Sequence, residues 1–153
     1  MQFFGDLRQV RRYQREDELA AGIRKRVGEA TGPQTRVLIG HSLGSVVAYE
    51  YLALQDSHGI ETLITLGSPL ALRSIQDRLR TKEPDGRPRF PAGVEGWFNI
   101  FDPRDPVACA GGLSPSWVEV TDAHVDNEDE PHAATRYLGK KPTGQAVVTG
   151  LEP

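Results

Sequence analysis

The sequence predicts an α/β protein: a parallel sheet with helices on both faces, arranged as a three-layer sandwich. Short apolar runs rich in β-branched residues (37–39, 60–66 and 94–101) alternate with segments of helical period. The second run is nearly unbroken, as a strand covered on both faces is. The first passes straight through Gly40-His41-Ser42-Leu43-Gly44 into a helical segment, which makes a strand–turn–helix unit.

Taken in order, residues 3–30 read as helix. Leu19, Ile23 and Val27 recur at fourfold spacing, Asp17 is a candidate cap, and Gly32-Pro33 is a firm stop. The first half sets Leu7, Val10 and Tyr13 among Arg8, Arg11, Arg12 and Arg15, and those arginines read as a solvated face. After the strand ending at Gly40, a helix over 42–55 buries its core residues from among Val46, Val47, Tyr51 and Leu54. His58, beside Gly59, reads as a surface cap of the helix C-terminus. The strand over 60–66 breaks at Gly67-Ser68-Pro69, and a short helix carries Leu72, Ile75 and Leu79. Residues 81–93, with Pro84, Pro88 and Pro91, form a loop. A third strand, 94–101, ends at Asp102-Pro-Arg-Asp-Pro-Val-Ala108. Residues 117–121 alternate and read as a fourth strand near an edge. An acidic loop, 122–130, leads to a helix over 131–138 opened by Pro131, and Thr143 caps a last short helix bearing Ala146, Val147 and Leu151.

Composition narrows the function classes. A chain of 153 residues is one domain's worth and long enough to bury a core. Its net charge of −3 gives no sign of a nucleic-acid partner. No apolar run approaches the roughly 20 residues that a membrane span needs. The N-terminus has the wrong order of charge and apolarity for a signal peptide. The single cysteine, Cys109, excludes an internal disulfide, fits a reducing, cytoplasmic setting, and reads as a small buried apolar residue. No cofactor and no metal are expected, because the histidines lack ligand spacing and the acidic run 126–130 lacks the glycine of a calcium loop.

The chemistry gathers at strand ends. In parallel sheets, active groups sit beyond the C-terminal ends of the strands. Ser42 follows the first strand in a G-x-S-x-G turn, where only small residues are expected to fit at 40 and 44. The turn places the Leu43 N–H at a helix N-terminus, able to face a developing oxyanion. Asp102 and Asp105 follow the third strand, and His124 and His132 follow the fourth. A serine hydroxyl needs a histidine to take its proton, and the imidazole needs a carboxylate to orient it. The residues alone leave both pairs open.

The segments Val37-Leu-Ile-Gly-His-Ser-Leu-Gly-Ser-Val-Val-Ala-Tyr49, Thr65-Leu-Gly-Ser-Pro69, 97–108 and His132-Ala-Ala-Thr-Arg-Tyr-Leu138 resemble the α/β-hydrolase superfamily, most of all its lipase- and esterase-like bacterial members. The resemblance spans roughly residues 35–140. It implies a serine hydrolase acting on an ester, thioester or related acyl bond, with a small-molecule acyl substrate. Ser42 would be the nucleophile, Leu43 an oxyanion donor, Asp105 the acid by its Asp-Pro-Val-Ala turn, and His132 the base, as the family histidine that opens the last helix in a His-Ala-x-x-x-Tyr-Leu setting. His124 and Asp102 remain the alternatives.

The expected organisation is a single domain over 1–153: an N-terminal helical segment (1–33), a catalytic core (34–140) and a C-terminal helix or tail (141–153). The superfamily carries further strands and a second oxyanion donor ahead of the nucleophile, whereas residues 1–33 read as helix. A short or N-terminally truncated form of the fold is therefore expected, with Ser45 or Ser68 as substitute donors or with a partner supplying one. The competing expectation is a weakly active or non-catalytic interaction module. In that case a homodimer or partner chain completes the sheet at its bare edge.

Overall fold

The structure is a computed structural model that describes residues 2–152, including all of their side chains except those at 2, 3, 4 and 6. Helices α1 (Gln2–Arg15) and α2 (Asp17–Ala30) precede β1 (Val37–His41), α3 (Leu43–Ala53) and β2 (Thr62–Leu66). A 3-10 turn (Pro69–Ala71) and α4 (Arg73–Gln76) then lead to β3 (Gly96–Phe101), β4 (Val120–His124), α5 (Ala134–Leu138) and α6 (Lys141–Leu151). The four strands form one parallel sheet in the order β1-β2-β3-β4. The protein is thus α/β, with a parallel sheet flanked by helices, as the sequence predicts.

The alternation of each strand assigns its faces. Leu63 and Trp97, paired in register, join Val46, Tyr49 and Leu52 of α3 and Val10 and Tyr13 of α1 in the larger core. Ile64, Leu66 and Ile100 point the other way, onto Ala146 of α6 and Tyr137 of α5. All five residues of β2 are buried, which matches their unbroken apolar and β-branched run. Three aromatic rings close the first core: Tyr49 lies 5.4 Å from Trp97 and 5.3 Å from Trp117. A buried polar ladder crosses the same face. Trp97 Nε1 donates to Thr65 Oγ1, Thr65 to Asn99 Oδ1, and Asn99 Nδ2 to Asp122 Oδ1.

Several elements depart from the sequence reading. The N-terminal helix is two helices, broken at Glu16 (φ −104, ψ 94), which lets both pack on α3. Glu16, not Asp17, holds the cap position. Residues 117–119 are not strand. Trp117 turns inward to the aromatic cluster and donates Nε1 to the Arg89 carbonyl, so β4 starts at Val120, opposite Trp97. Asp122 and His124 consequently lie within β4 rather than in the acidic loop. Helix α6 begins at Lys141 with Pro142 in its first turn, and Thr143 is buried inside it, donating to the Tyr137 carbonyl. Cys109 is exposed rather than buried. His58 is no surface cap: both ring nitrogens are buried and without a hydrogen-bond partner among the described residues. Among those residues, no helix is long and apolar enough to cross a membrane.

Candidate active site

Ser42 caps α3 with φ 55 and ψ −125, a conformation rarely adopted by a residue with a side chain, and its N–H donates to the Leu66 carbonyl at 3.0 Å. This bend needs Gly40. A Cβ there would sit 2.5 Å from the Gly44 carbonyl oxygen and 2.7 Å from Ser45 Cα. Gly44 is different, since a Cβ there would meet nothing within 4 Å. The motif's second glycine therefore answers to no steric demand inside the described chain, contrary to the sequence reading.

The structure brings Ser42, His132 and Asp105 into one hydrogen-bonded row. His132 Nε2 lies 3.0 Å from Ser42 Oγ, and its Nδ1 lies 2.8 Å from Asp105 Oδ2. Asp105 is fully buried, while the His132 side chain retains 21% of its exposure, so the row runs from protein interior to rim. His124 is exposed at the end of β4 and stands outside this group. Asp102 is buried but faces elsewhere. Its carboxylate accepts the N–H groups of Arg104 and Asn127 and pairs with the Arg104 guanidinium. Burial pushes the Asp102 carboxyl up, and these donors outweigh it, holding the group below the usual carboxylate value. Asn127 in turn donates Nδ2 to the Pro131 carbonyl, one residue before His132. Asp102 thus ties the β3 turn to the loop that carries the imidazole.

Two further side chains shape the row. The Tyr137 hydroxyl donates to Asp105 Oδ2 at 2.7 Å and accepts the Asp102 N–H at 3.0 Å. The N–H groups of Val107 (2.8 Å) and Ala108 (3.4 Å) reach Asp105 Oδ1, so the carboxylate is held at both oxygens. Burial, then the neighbouring Asp105 carboxylate, raise the Tyr137 hydroxyl far above its ordinary value, which keeps it a donor. His41 reaches the His132 backbone carbonyl with Nε2 at 2.8 Å, its ring centroid 4.7 Å from that of His132. Sequence reasoning missed both roles. Tyr137 lies in the His132–Leu138 segment and His41 beside Ser42, but only the fold brings Tyr137 under Asp105. Gly67 (φ +53) lies beneath the row: a Cβ there would come within 2.7 Å of Asp105 Oδ2 and 2.9 Å of Tyr137 Cε2.

Ser42 and His132 open onto a cavity of about 320 Å³, lined also by Gln9, His41, Leu43, Ala133 and Ala134. Leu43 is the first residue of α3, so its N–H is among those a helix leaves without an intrahelical partner. Ser45 and Ser68 are engaged elsewhere. Ser45 Oγ donates to Ser68 Oγ at 2.7 Å and sits against the Ser42 carbonyl, and Ser68 Oγ accepts the Leu70 N–H. Both are buried, so neither offers a donor to the cavity. Among the described residues, no group of three or more His, Cys, Asp or Glu is placed to hold a metal ion.

A parallel sheet with a strained serine between β1 and α3, and an imidazole and carboxylate from later strand ends, defines a class: an α/β protein with a hydrogen-bonded Ser–His–Asp row. The PGAP1-like alpha/beta domain family matches residues 15–82, from the end of α1 through α4 and including Ser42. A probable mitochondrial phospholipase of Saccharomyces cerevisiae is 30% identical over 115 residues, which cover 65% of this chain and 15% of that protein. The matched region is thus a small part of the relative's length. No solved structure matches the chain significantly. Both matches support the resemblance to the α/β-hydrolase superfamily.

Proposed function

We propose that the protein is a serine hydrolase that cleaves a carboxylic ester, thioester or related acyl bond through an acyl-enzyme. One observation carries the reading: Ser42 Oγ, His132 and Asp105 lie in unbroken hydrogen-bond reach at the wall of an open cavity. Ser42 Oγ attacks the acyl carbon as its proton passes to His132 Nε2. The Asp105 carboxylate, itself fixed by Tyr137 and two backbone N–H groups, holds the imidazole and stabilises its charged form. The Leu43 N–H faces the oxyanion. His132 then returns the proton to the leaving group, and water releases the acid by the same steps. The cavity lies at the small end of ligand sites, which supports a compact acyl substrate. The yeast relative, named as a probable phospholipase, supports lipid esters as a substrate class. Hydrolysis of p-nitrophenyl acetate tests the reading. Ser42→Ala and His132→Ala are each expected to lower kcat at least about 10³-fold. Turnover that survives both substitutions rejects it.

A second reading rests on β1, which among the described residues pairs only with β2 and leaves Ile39 40% exposed at the sheet edge. Here the edge accepts a strand from a second copy or a partner chain. Sedimentation equilibrium separates the cases, since a monomer at all concentrations rules out pairing between copies.

A further inference from the structure

Attack of Ser42 on an acyl carbon creates an oxyanion, for which the Leu43 N–H is one donor. Ser45 and Ser68 are buried and bonded to each other, and His41 Nε2 is engaged with the His132 carbonyl. Among the described residues, the other polar side chain on the cavity wall belongs to Gln9 of α1. It is exposed, and its carboxamide has no hydrogen bond among the described residues.

A donor aids catalysis only where it is held in place. Helix α1 lies on the surface, yet its inner face is fastened by a buried polar network. The Tyr13 hydroxyl donates to Glu50 Oε2 at 2.8 Å, and Gln14 Nε2 donates to the Ile75 carbonyl at 2.9 Å. The Arg80 guanidinium reaches Glu50 Oε2 at 3.0 Å and the carbonyls of Tyr13 and Gln14 at 3.1 and 3.3 Å. Arg24 adds a bond to the Tyr13 hydroxyl, and Glu50 is fully buried. Apolar side chains could pack such a helix at lower desolvation cost, whereas paired and directional bonds admit one register. Val10, next to Gln9, is also fully buried. The network therefore fixes the helix that presents Gln9 to the cavity.

We propose that Gln9 is a catalytic residue of this site: its carboxamide N–H donates the second hydrogen bond to the acyl oxyanion. The proposal rests on the reading of Ser42 as nucleophile. As the Ser42 Oγ–carbon bond forms, the carbonyl π pair moves onto oxygen, where Leu43 N–H and Gln9 Nε2–H hold it. The pair then returns, the bond to the leaving group breaks, and the leaving group takes the proton from His132. Water repeats the sequence to release the acid. Gln9 neither gains nor loses a proton.

The test is p-nitrophenyl acetate turnover by the parent chain, Ser42→Ala, Gln9→Leu and the isosteric Gln9→Glu. Because Gln9 is exposed and unbonded, both of its variants are expected to keep the parent's melting temperature. Each is expected to lower kcat about 10²-fold, with KM changed less than about threefold, because the oxyanion exists only past the ground state. A kcat within about twofold of the parent, or a change confined to KM, overturns the proposal. Parent turnover that is absent, or equal to that of Ser42→Ala, overturns the nucleophile reading and the proposal with it.

Discussion

Asp105 is gripped at both oxygens, and the grip rests on one hydroxyl. Tyr137 spans the Asp102 N–H and Asp105 Oδ2, so it links the turn backbone to the carboxylate beside His132. Tyr137→Phe keeps the ring and removes this bridge. It leaves a buried N–H unpaired, which is expected to lower unfolding free energy by about 1–3 kcal/mol in urea titration. In turnover, kcat should fall while KM holds, since Tyr137 touches the acid and lines no part of the cavity. Residue identity was the most legible level in the sequence. The need for a serine, a carboxylate and an imidazole follows from nucleophilic chemistry, and their order along the chain is that of the superfamily it resembles. The choice between Asp102 and Asp105 was legible only through the resemblance, because just two residues of turn, Pro103 and Arg104, separate a carboxylate that meets His132 from one that ties a loop. His58 was misread for a related reason. Its neighbour Gly59 suggested a helix end, but what buries its ring is the later loop near Gly93.

At the scale of elements, the imidazole sits on a loop, and loops keep geometry only where their backbone groups are satisfied. Asp102 performs that task for residues 126–132 through the Asn127 N–H, and Asn127 continues to Pro131. Arg136 pairs with Glu128, Asp129 and Glu130 across the outside of the same loop. Asp102→Ala frees the buried Asn127 N–H and the part-buried Arg104 N–H, and is expected to destabilise the fold by about 1–3 kcal/mol in urea titration, while lowering turnover. The pH dependence follows from the depressed Asp102 pKa. Its stabilisation is present above the ordinary value of 3.8 and is lost as pH falls below 3.8 through the lower folded value. The parent should therefore lose stability along that acid limb, and Asp102→Ala should flatten it. Strand β2 was legible to within two residues, because a short β-branched run bounded by glycines favours a buried strand. Residues 117–121 were not. Alternation there satisfies a strand pattern, yet Trp117 packs edge-on against Tyr49 and tilted against Trp97 instead of joining the sheet.

Over the whole molecule, one face of the sheet holds most of the core and the opposite face is covered by α5 and α6, with the Ser–His–Asp row at the strands' C-terminal ends. The alternation of strands and helices made this architecture legible. The Glu50 network was not legible, because Tyr13, Arg24, Glu50 and Arg80 show no common spacing and meet only after folding. Glu50→Ala removes the buried carboxylate shared by Tyr13, Arg24 and Arg80, leaving Arg80 with Asp17 and two carbonyls, and its expected loss is about 2–4 kcal/mol in chemical denaturation. A loss below about 1 kcal/mol would mean that solvent reaches the network. The central claim concerns Ser42 itself. Incubation with a fluorophosphonate probe, followed by intact mass and peptide mapping, examines it most directly. The account predicts one adduct, on Ser42, absent in Ser42→Ala and formed far more slowly in His132→Ala. A folded protein that takes up no probe, or carries it on another residue, would contradict it.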